Sequence, residues 1–490
     1  MPENNTRKEV LSGLFWIFAE SACADVVSFV VSVIIARLLI PEDYGEISLV
    51  NVFIVLANVF VVNGLGTALV QKKDADDLDF SSVFYANLVL SIILYGIIYF
   101  CSPAIADFYR IPHLCMVLRV LAIRIPVAAV NSVQNAYVSR KMIFRKFFFA
   151  TIIGTVVSAI VGIYMAYAGF GVWALVAQIL TNAVIDTVVL FITVRWFPKL
   201  VFSFQRLKGL FDYGWKILGS SLIKVGYSQL SNLIIGRLYT SEDLAFYSRG
   251  KKYPELVITD INSSISSVLF PAIAKQQEDI KKVKSMTSRA MKISTYVISP
   301  FLVGMAALAT PLISWMLTEK WLPCIPFLRI CCIYYILEPV QTANLQAIRA
   351  IGRSDVILKL DVIKRGGGVL ILLLLMNQGP IGVALAPVGM SIIATFINMA
   401  TNRKLISYPL KEQFRDLLPN FLVALIMGAT VFTISAYMNN CGIDNFIILI
   451  AGFIIGALLY IGVSAICKIE SFSYILDIFG AKFVKKDQRK

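Results

Sequence analysis

Charged residues are scarce in this 490-residue chain, 15% against about 25% in an ordinary soluble domain. Water is therefore not its principal solvent. Histidine is nearly missing: with His113 alone, a histidine-clustered metal site is excluded and a histidine-based triad has a single residue on which to be built. None of the cysteines, Cys23, Cys101, Cys115, Cys324, Cys331, Cys332, Cys441 and Cys467, forms a CxxC pair. Most lie in apolar runs and read as small packing residues. No GxxxxGK[ST] loop is present, which argues against direct ATP drive. A cleavable signal is not expected, because the apolar stretch after Met1–Lys8 is broken by Glu20 and Asp25 and runs on to Ile40. Ser21-Ala22-Cys23 is no lipoprotein box, since Glu20 stands where an aliphatic residue is needed.

What the chain does have is apolar length. Hydrophobic residues make up 58% and the mean hydropathy is +0.77. Runs of about 20 apolar residues, enough for a helix to cross a hydrocarbon core, recur along almost the whole sequence. Pro, Gly and charge breaks divide it into candidate helices near 10–39, 44–70, 81–101, 113–138, 146–168, 172–195, 211–239, 243–273, 287–317, 324–349, 355–376, 379–402, 417–438 and 445–467. The expected fold class is an all-α integral membrane protein with about fourteen transmembrane helices. The net charge of +15 does not signal nucleic acid, because the bases fall between apolar runs and not on a polar surface. They alternate instead. One set of loops holds Lys72/Lys73, Arg140/Lys141/Arg145/Lys146, Lys199/Arg206/Lys208, Lys275/Lys281/Lys282/Lys284, Arg349/Arg353 and Arg403/Lys404/Lys411/Arg415. The opposite loops hold little beyond Arg37, Arg110, Arg237 and Lys320. Bases are retained on the cytoplasmic side, so both termini, with Arg7/Lys8 and the basic tail, are expected there.

The segment Ala36-Arg37-Leu38-Leu39-Ile40-Pro41-Glu42-Asp43 returns as Gly236-Arg237-Leu238-Tyr239-Thr240-Ser241-Glu242-Asp243, an offset of 200 residues from Arg37 to Arg237. Each copy joins the first two runs of its series. A fainter echo pairs Gln134 ahead of Arg140 with Gln346 ahead of Arg349. Repeats of six spans start on the same side, which makes them parallel repeats about an axis along the membrane normal, and transporters of that kind carry substrate between the halves. The expected division is an N-terminal six-helix lobe at 1–200, a C-terminal six-helix lobe at 201–410, and two additional helices with a basic tail at 411–490.

Specific residues carry a resemblance. The run from Arg37 through Pro41-Glu42-Asp43-Tyr44 to Gly45, the run Gly64-Leu65-Gly66-Thr67-Ala68-Leu69-Val70-Gln71-Lys72, and Arg140-Lys141-Met142-Ile143-Phe144-Arg145 resemble the Wzx-like polysaccharide and lipopolysaccharide exporters, especially the colanic acid and teichuronic acid branch. The resemblance covers nearly the whole chain and is strongest over residues 30–150. It implies the MATE-like fold of the multidrug/oligosaccharidyl-lipid/polysaccharide exporter superfamily, with two lobes. It also implies flipping of an undecaprenyl-diphosphate-linked oligosaccharide, a precursor of capsule, exopolysaccharide or O-antigen, across the bacterial cytoplasmic membrane. A polysaccharide polymerase is a plausible partner of such a flippase, and no cofactor is implied. The matching motifs mark loops and span ends, so they do not identify the sugar.

Charges inside spans are costly and usually face a bundle interior or a watery cavity. Glu20 and Asp25 lie on the first run, and Arg119 and Arg124 on the fourth. Lys216 and Lys224, eight residues apart, stack on one face of the seventh, close to Ser220 and Tyr227. Arg249, Lys251, Lys252, Glu255 and Asp260 follow on the eighth. Asp361, Lys364 and Arg365 precede the Gly366-Gly367-Gly368 triplet, which marks a bend or close packing. A lipid diphosphate would be attracted by Lys216, Lys224, Arg249, Lys252, Lys364, Arg365, Arg119 and Arg124, if these line a lumen. The bland alternative is internal pairing, for instance Asp361 with Lys364 or Arg365, or snorkelling to an interface. Glu20, Asp25, Glu255, Asp260 and Asp361 are then ion-coupling residues or partners of the bases. Trp16, Trp173, Trp196, Trp215, Trp315 and Trp321 fall near run ends, as an interfacial belt would.

Three functions compete. A flippase of lipid-linked oligosaccharide fits the excess of bases within spans. An ion-coupled drug exporter of similar fold would favour an aromatic, acidic pocket for cations. A glycan polymerase or ligase, the one enzyme considered, would need a long outer loop, and every loop on that side is short.

Overall fold

The computed structural model describes residues 16, 20, 23–62, 65–72 and 74–474, the side chains of Thr67, Asp212, Tyr213 and Asp260 excepted. Helix follows helix: α1 (23–38), α2 (Pro41–Val62), α3 (Leu65–Gln71), α4 (Asp77–Tyr109), α5 (Leu114–Leu121), α6 (Arg124–Lys141), α7 (Arg145–Tyr167), α8 (Val172–Val194) and α9 (Phe204–Leu238). Then come α10 (Ser241–Ala274), α11 (Ile280–Ala307), α12 (Ala309–Leu317), a short 3₁₀ helix (Glu319–Cys324), α13 (Ile325–Ile336), α14 (Glu338–Ala350), α15 (Ser354–Leu375), α16 (Gly379–Leu405), α17 (Leu410–Asn440) and α18 (Asn445–Ile466). The chain forms two compact units, Met1–Ala245 and Phe246–Lys490, the boundary falling in the first turns of α10.

Among the described residues, eleven helices are long and apolar enough to cross a membrane. The run expected at 10–39 is described only in part, its helix being seen over 23–38. Those at 211–239 and 355–376 are helical, as α9 and α15, yet stand outside the eleven. Their composition explains it: Ser220, Ser221, Lys224, Gln229 and Asn232 dilute α9, and Lys359, Asp361, Lys364 and Arg365 interrupt α15. Short polar side chains set several helix starts. Asp76 and Asp79 form a reciprocal capping box at α4, the Asp79 N–H donating to Asp76 Oδ1 at 3.0 Å and the Asp76 N–H to Asp79 Oδ2 at 3.2 Å. Asp279 caps α11 in the simpler way, accepting from the Lys282 N–H at 3.1 Å.

In the first unit α7 and α8 pack along their length through small residues on α7. Ala150, Gly154, Ser158, Gly162 and Ala166 recur every four residues and all are buried. A Cβ on Gly154 would stand 3.3 Å from the Asn182 carbonyl oxygen, and one on Gly162 would stand 2.9 Å from Gln178 Cβ. This is the small-residue seam that lets membrane helices approach without a hydrophobic driving force between them. Also in this unit, the two copies of the repeated motif meet. A Cβ on Gly45 would lie 1.9 Å from the Ser241 carbonyl oxygen, and the Glu42 and Glu242 carboxyls share a hydrogen bond. Backbone cannot yield as a side-chain tip can, so Gly45→Ala is expected to cost about 2–3 kcal/mol through overpacking. A thermal melting curve coinciding with wild type would contradict this contact.

In the second unit α11 and α17 run parallel and in register. Lys284 donates to Glu412 at 2.6 Å, Ser288 to Asp416 at 2.6 Å, and Asn420 to the Lys292 carbonyl at 2.8 Å, each pair 128 residues apart. Between α14 and α16 the Asn402 amide donates to Asn344, both residues fully buried. Such amides fasten helices where hydrocarbon offers no competing partner.

The tryptophans do not all form a belt. Trp173, Trp215 and Trp315 are exposed, but Trp321 is fully buried and Trp196 nearly so. Trp196 packs on Phe80, Phe84 and Tyr137 and points its indole N–H at Asp77, 3.4 Å away. A partner for the ring nitrogen is what lets a tryptophan become core. The cysteines divide likewise: Cys324, Cys331 and Cys332 are buried packing residues, whereas Cys23, Cys101, Cys441 and Cys467 are exposed.

Candidate functional site

The cations expected inside spans have different surroundings. On α9, Lys216 and Lys224 are both exposed, with Ser220 exposed beside them. Lys224 lies three residues past the midpoint of this 35-residue helix and makes no ion pair with a described residue. On α15, Arg365 stands 3.7 Å from Asp361 one turn away, the internal pair foreseen as an alternative, and Lys364 is half-buried. Arg249 is 5% exposed, stacks over the Trp321 ring at 5.6 Å and bonds to Tyr253, so its surroundings are protein and not solvent. Its neighbour Gly250 explains the fit: a Cβ there would lie 2.7 Å from the Leu328 nitrogen. Lys252 and Glu255 are exposed one turn apart on α10, and Lys251 is half-buried. The Asp260 side chain is outside the described part.

Arg119 is satisfied between α4 and α5. Its Nε donates to Ser102 at 2.8 Å, and its guanidinium covers the Tyr99 ring at 4.2 Å. Arg124 is half-buried at the start of α6, and Asp25 is exposed on α1. Glu20 accepts from the Thr151 hydroxyl of α7 at 2.8 Å. Close to it lies Asp186 of α8, which accepts from Asn131 of α6 at 2.7 Å. Asp186 was not among the residues singled out, although it bears the same mark as Glu20, a carboxylate inside an apolar run. Asn131 and Thr151 carry no such mark, because amides and hydroxyls are common in spans.

A second cluster lies where α3 ends and α4 and α9 begin. Asp79, fully buried, takes both carboxylate bonds from Lys72 Nζ, at 2.6 and 2.7 Å, and has Arg206 3.5 Å away. Lys199 pairs with Asp77 at 2.6 Å, which holds its ammonium above the usual lysine value. Asp76 is held below the usual carboxylate range, chiefly by the Asp79 N–H. Arg140 donates to the carbonyls of Leu69 and Lys72, and Lys146 to that of Thr193 at 2.6 Å. These bases thereby close the ends of α3 and α8, as cations do at helix C-termini. The Gln134 amide donates to the Trp196 carbonyl at 2.9 Å, and Gln346 is buried in the second unit, so the glutamines of the echo share burial. Arg349 is exposed, unlike Arg140, so the arginines do not.

The second unit also has an apolar groove of about 570 Å³ between α11, α12, α17 and α18. Phe301, Leu308, Trp315, Met427 and Phe453 line it, and Gly452 and Gly456 form part of its wall. Among the described residues, no group of three or more His, Cys, Asp or Glu could hold a metal ion.

The teichuronic acid biosynthesis protein TuaB of Bacillus subtilis (strain 168) is 25% identical over 465 residues, covering 93% of this chain and 95% of that protein. The succinoglycan biosynthesis transport protein ExoT of Rhizobium meliloti (strain 1021) is 25% identical over 352 residues, 71% of each. Among solved structures, the lipid II flippase MurJ in an inward closed conformation superposes with a TM-score of 0.75 at 16% identity, over 92% of this chain and 98% of that one. An inward-facing multidrug resistance MATE family transporter superposes with a TM-score of 0.60 at 19% identity, over 78% and 94%. The fold is therefore that of the MurJ and MATE transporters. Residues 34–326, more than half of the chain, match the family described as polysaccharide biosynthesis protein, and the chain belongs to that family.

Proposed function

We propose that this chain is a transporter, not an enzyme, and that it flips polyprenyl-diphosphate-linked oligosaccharide units across the bacterial cytoplasmic membrane by alternating access. The relatives named for teichuronic acid and succinoglycan biosynthesis, and the lipid II flippase of like fold, support the substrate class. The observation that carries the reading is Lys224, an exposed ammonium near the middle of α9 with no carboxylate paired to it among the described residues. Such a charge is tolerated only where water or an anion meets it, and a diphosphate supplies the anion. Lys224 and Lys216 in the first unit, and Lys364 and Arg365 in the second, each offer a cation to the headgroup in the course of the cycle. The groove along α12 and α18 suits the apolar chain, since it offers a lipid tail contact without burying a polar group. Ion coupling, if the cycle uses it, is assigned to Glu20 and its neighbour Asp186, whose hydrogen bonds to Thr151 and Asn131 support the reading. Both termini are taken as cytoplasmic from the distribution of bases.

The test is reconstitution in vesicles with two cargoes. Polyprenyl-diphosphate oligosaccharide is expected to cross, and an organic cation of the kind exported by MATE proteins is not. Transport of the cation with no movement of the lipid-linked sugar would reverse the assignment.

A further inference from the structure

Where α9 begins, the first unit holds a hollow of about 490 Å³, largely apolar but edged by bases and amides, that the proposed transport does not use. Ala68, Gln71 and Lys72 of the α3 end line it, with Gln205, Arg206, Gly209 and Leu210 in the first turns of α9. The charge of Lys72 is already matched by Asp79. That of Arg206 is only loosely matched: it stands 3.5 Å from Asp79 and 3.7 Å from Asp76, as ion pairs without hydrogen bonds. Its planar fork of N–H donors is thus left for another acceptor, and two exposed amides, Gln71 and Gln205, stand beside it. Gly209 leaves the hollow open, since a Cβ there would meet nothing within 4 Å.

The flanking chain supplies a second, separate observation. Leu200 is 93% exposed and Phe204 71%, with Phe202 and Phe211 also exposed, and the bases Lys199 and Lys208 lie among them. Large apolar side chains interleaved with lysine and arginine suit neither a water-facing loop nor hydrocarbon. They suit the headgroup boundary, where the rings enter the acyl region and the bases stay at the phosphates. An arginine whose donors are not filled by hydrogen bonds would meet lipid phosphodiesters at such a boundary.

We infer that this hollow binds the headgroup phosphate of an anionic phospholipid, with Arg206 as the fork, Gln71 and Gln205 as further donors, and the acyl chains along Phe204 and Phe211. The nearby acids fit the assignment. Asp77 is taken by Lys199, and the charge of buried Asp79 is shared with Lys72, so the exposed Asp76 is the more dispensable of the two carboxylates competing with the ligand for Arg206.

The experiment uses the full chain in detergent, titrated with phosphatidylglycerol or phosphatidylcholine and read by native mass spectrometry, with thermal melting to verify each variant. Phosphatidylglycerol is expected to be retained over phosphatidylcholine. Arg206→Gln should weaken it about tenfold, the size of one lost hydrogen-bond set to a charged group. Gly209→Phe fills the hollow from open space and should weaken it at least as much, while Arg206→Lys keeps part of the binding. Asp76→Ser retains a capping side chain and removes one of the two competing charges, so affinity should rise. Equal retention of both lipids, or wild-type affinity in Arg206→Gln and Gly209→Phe, overturns the proposal. So does displacement by inorganic phosphate as readily as by the lipid, which would make the ligand a free anion. The titration needs no transported substrate, so it can fail while the flippase reading stands, and the reverse.

Discussion

Asp79→Ala is expected to lower the stability of the first unit by about 2–3 kcal/mol, seen as a drop in the thermal unfolding midpoint of the purified protein. The carboxylate is fully buried and serves three groups at once: both of its oxygens take Lys72 Nζ, one closes the α4 capping box with the Asp76 N–H, and Arg206 stands close by. Its removal strands Lys72 and opens the start of α4 together. The cost falls below the 3–5 kcal/mol typical of a sealed pair because the Lys72 side chain is 28% exposed and can turn to water. Asp77→Asn is the control. It also removes a 2.6 Å ion pair, to Lys199, while keeping an oxygen for the Trp196 N–H, and both charged partners are exposed, where pairs contribute little. Equal losses in the two variants would show that Asp79 is no hub.

The helices were legible in the sequence because a membrane span is written locally, in about twenty consecutive side chains that have only to be apolar. By the same local reading α9 and α15 are spans that carry a function: Lys216 and Lys224 on one, and Asp361, Lys364 and Arg365 on the other, break the apolar pattern, and each such charge needs an explanation. What was not legible is what three-dimensional packing decides. Trp196 and Trp321 stand near run ends like interfacial residues, and only the neighbours Phe80, Tyr137 and Arg249 make them core. Arg249 reads from the sequence as a candidate for the lumen, but the close approach of Gly250 to Leu328 seats it in packing. Asp186 became notable through Asn131 and Glu20, which lie 55 and 166 residues away in the chain. Lys72 and Arg206 read as loop charges that orient the protein, and Asp79 was not singled out. Their grouping depends on where α9 returns to α3 and α4, which no local pattern records.

The largest functional effect is expected at the bases inside the spans. Lys224→Ala removes an exposed charge, breaks no ion pair among the described residues, and replaces a side chain that packs little, so the fold should be kept. A hydrogen bond to a charged group contributes about 1.5–3 kcal/mol, so each lost contact with a diphosphate should slow flipping about tenfold or more. Lys364→Ala should do the same, with a smaller margin if Arg365, already facing Asp361, substitutes for it. The direct measurement is the rate at which polyprenyl-diphosphate oligosaccharide crosses reconstituted vesicles containing wild type, Lys224→Ala, Lys364→Ala or the double variant. The account predicts about a tenfold loss in each single variant and a larger one in the double, with protein level and melting temperature preserved. Wild-type rates in both single variants and in the double would contradict it.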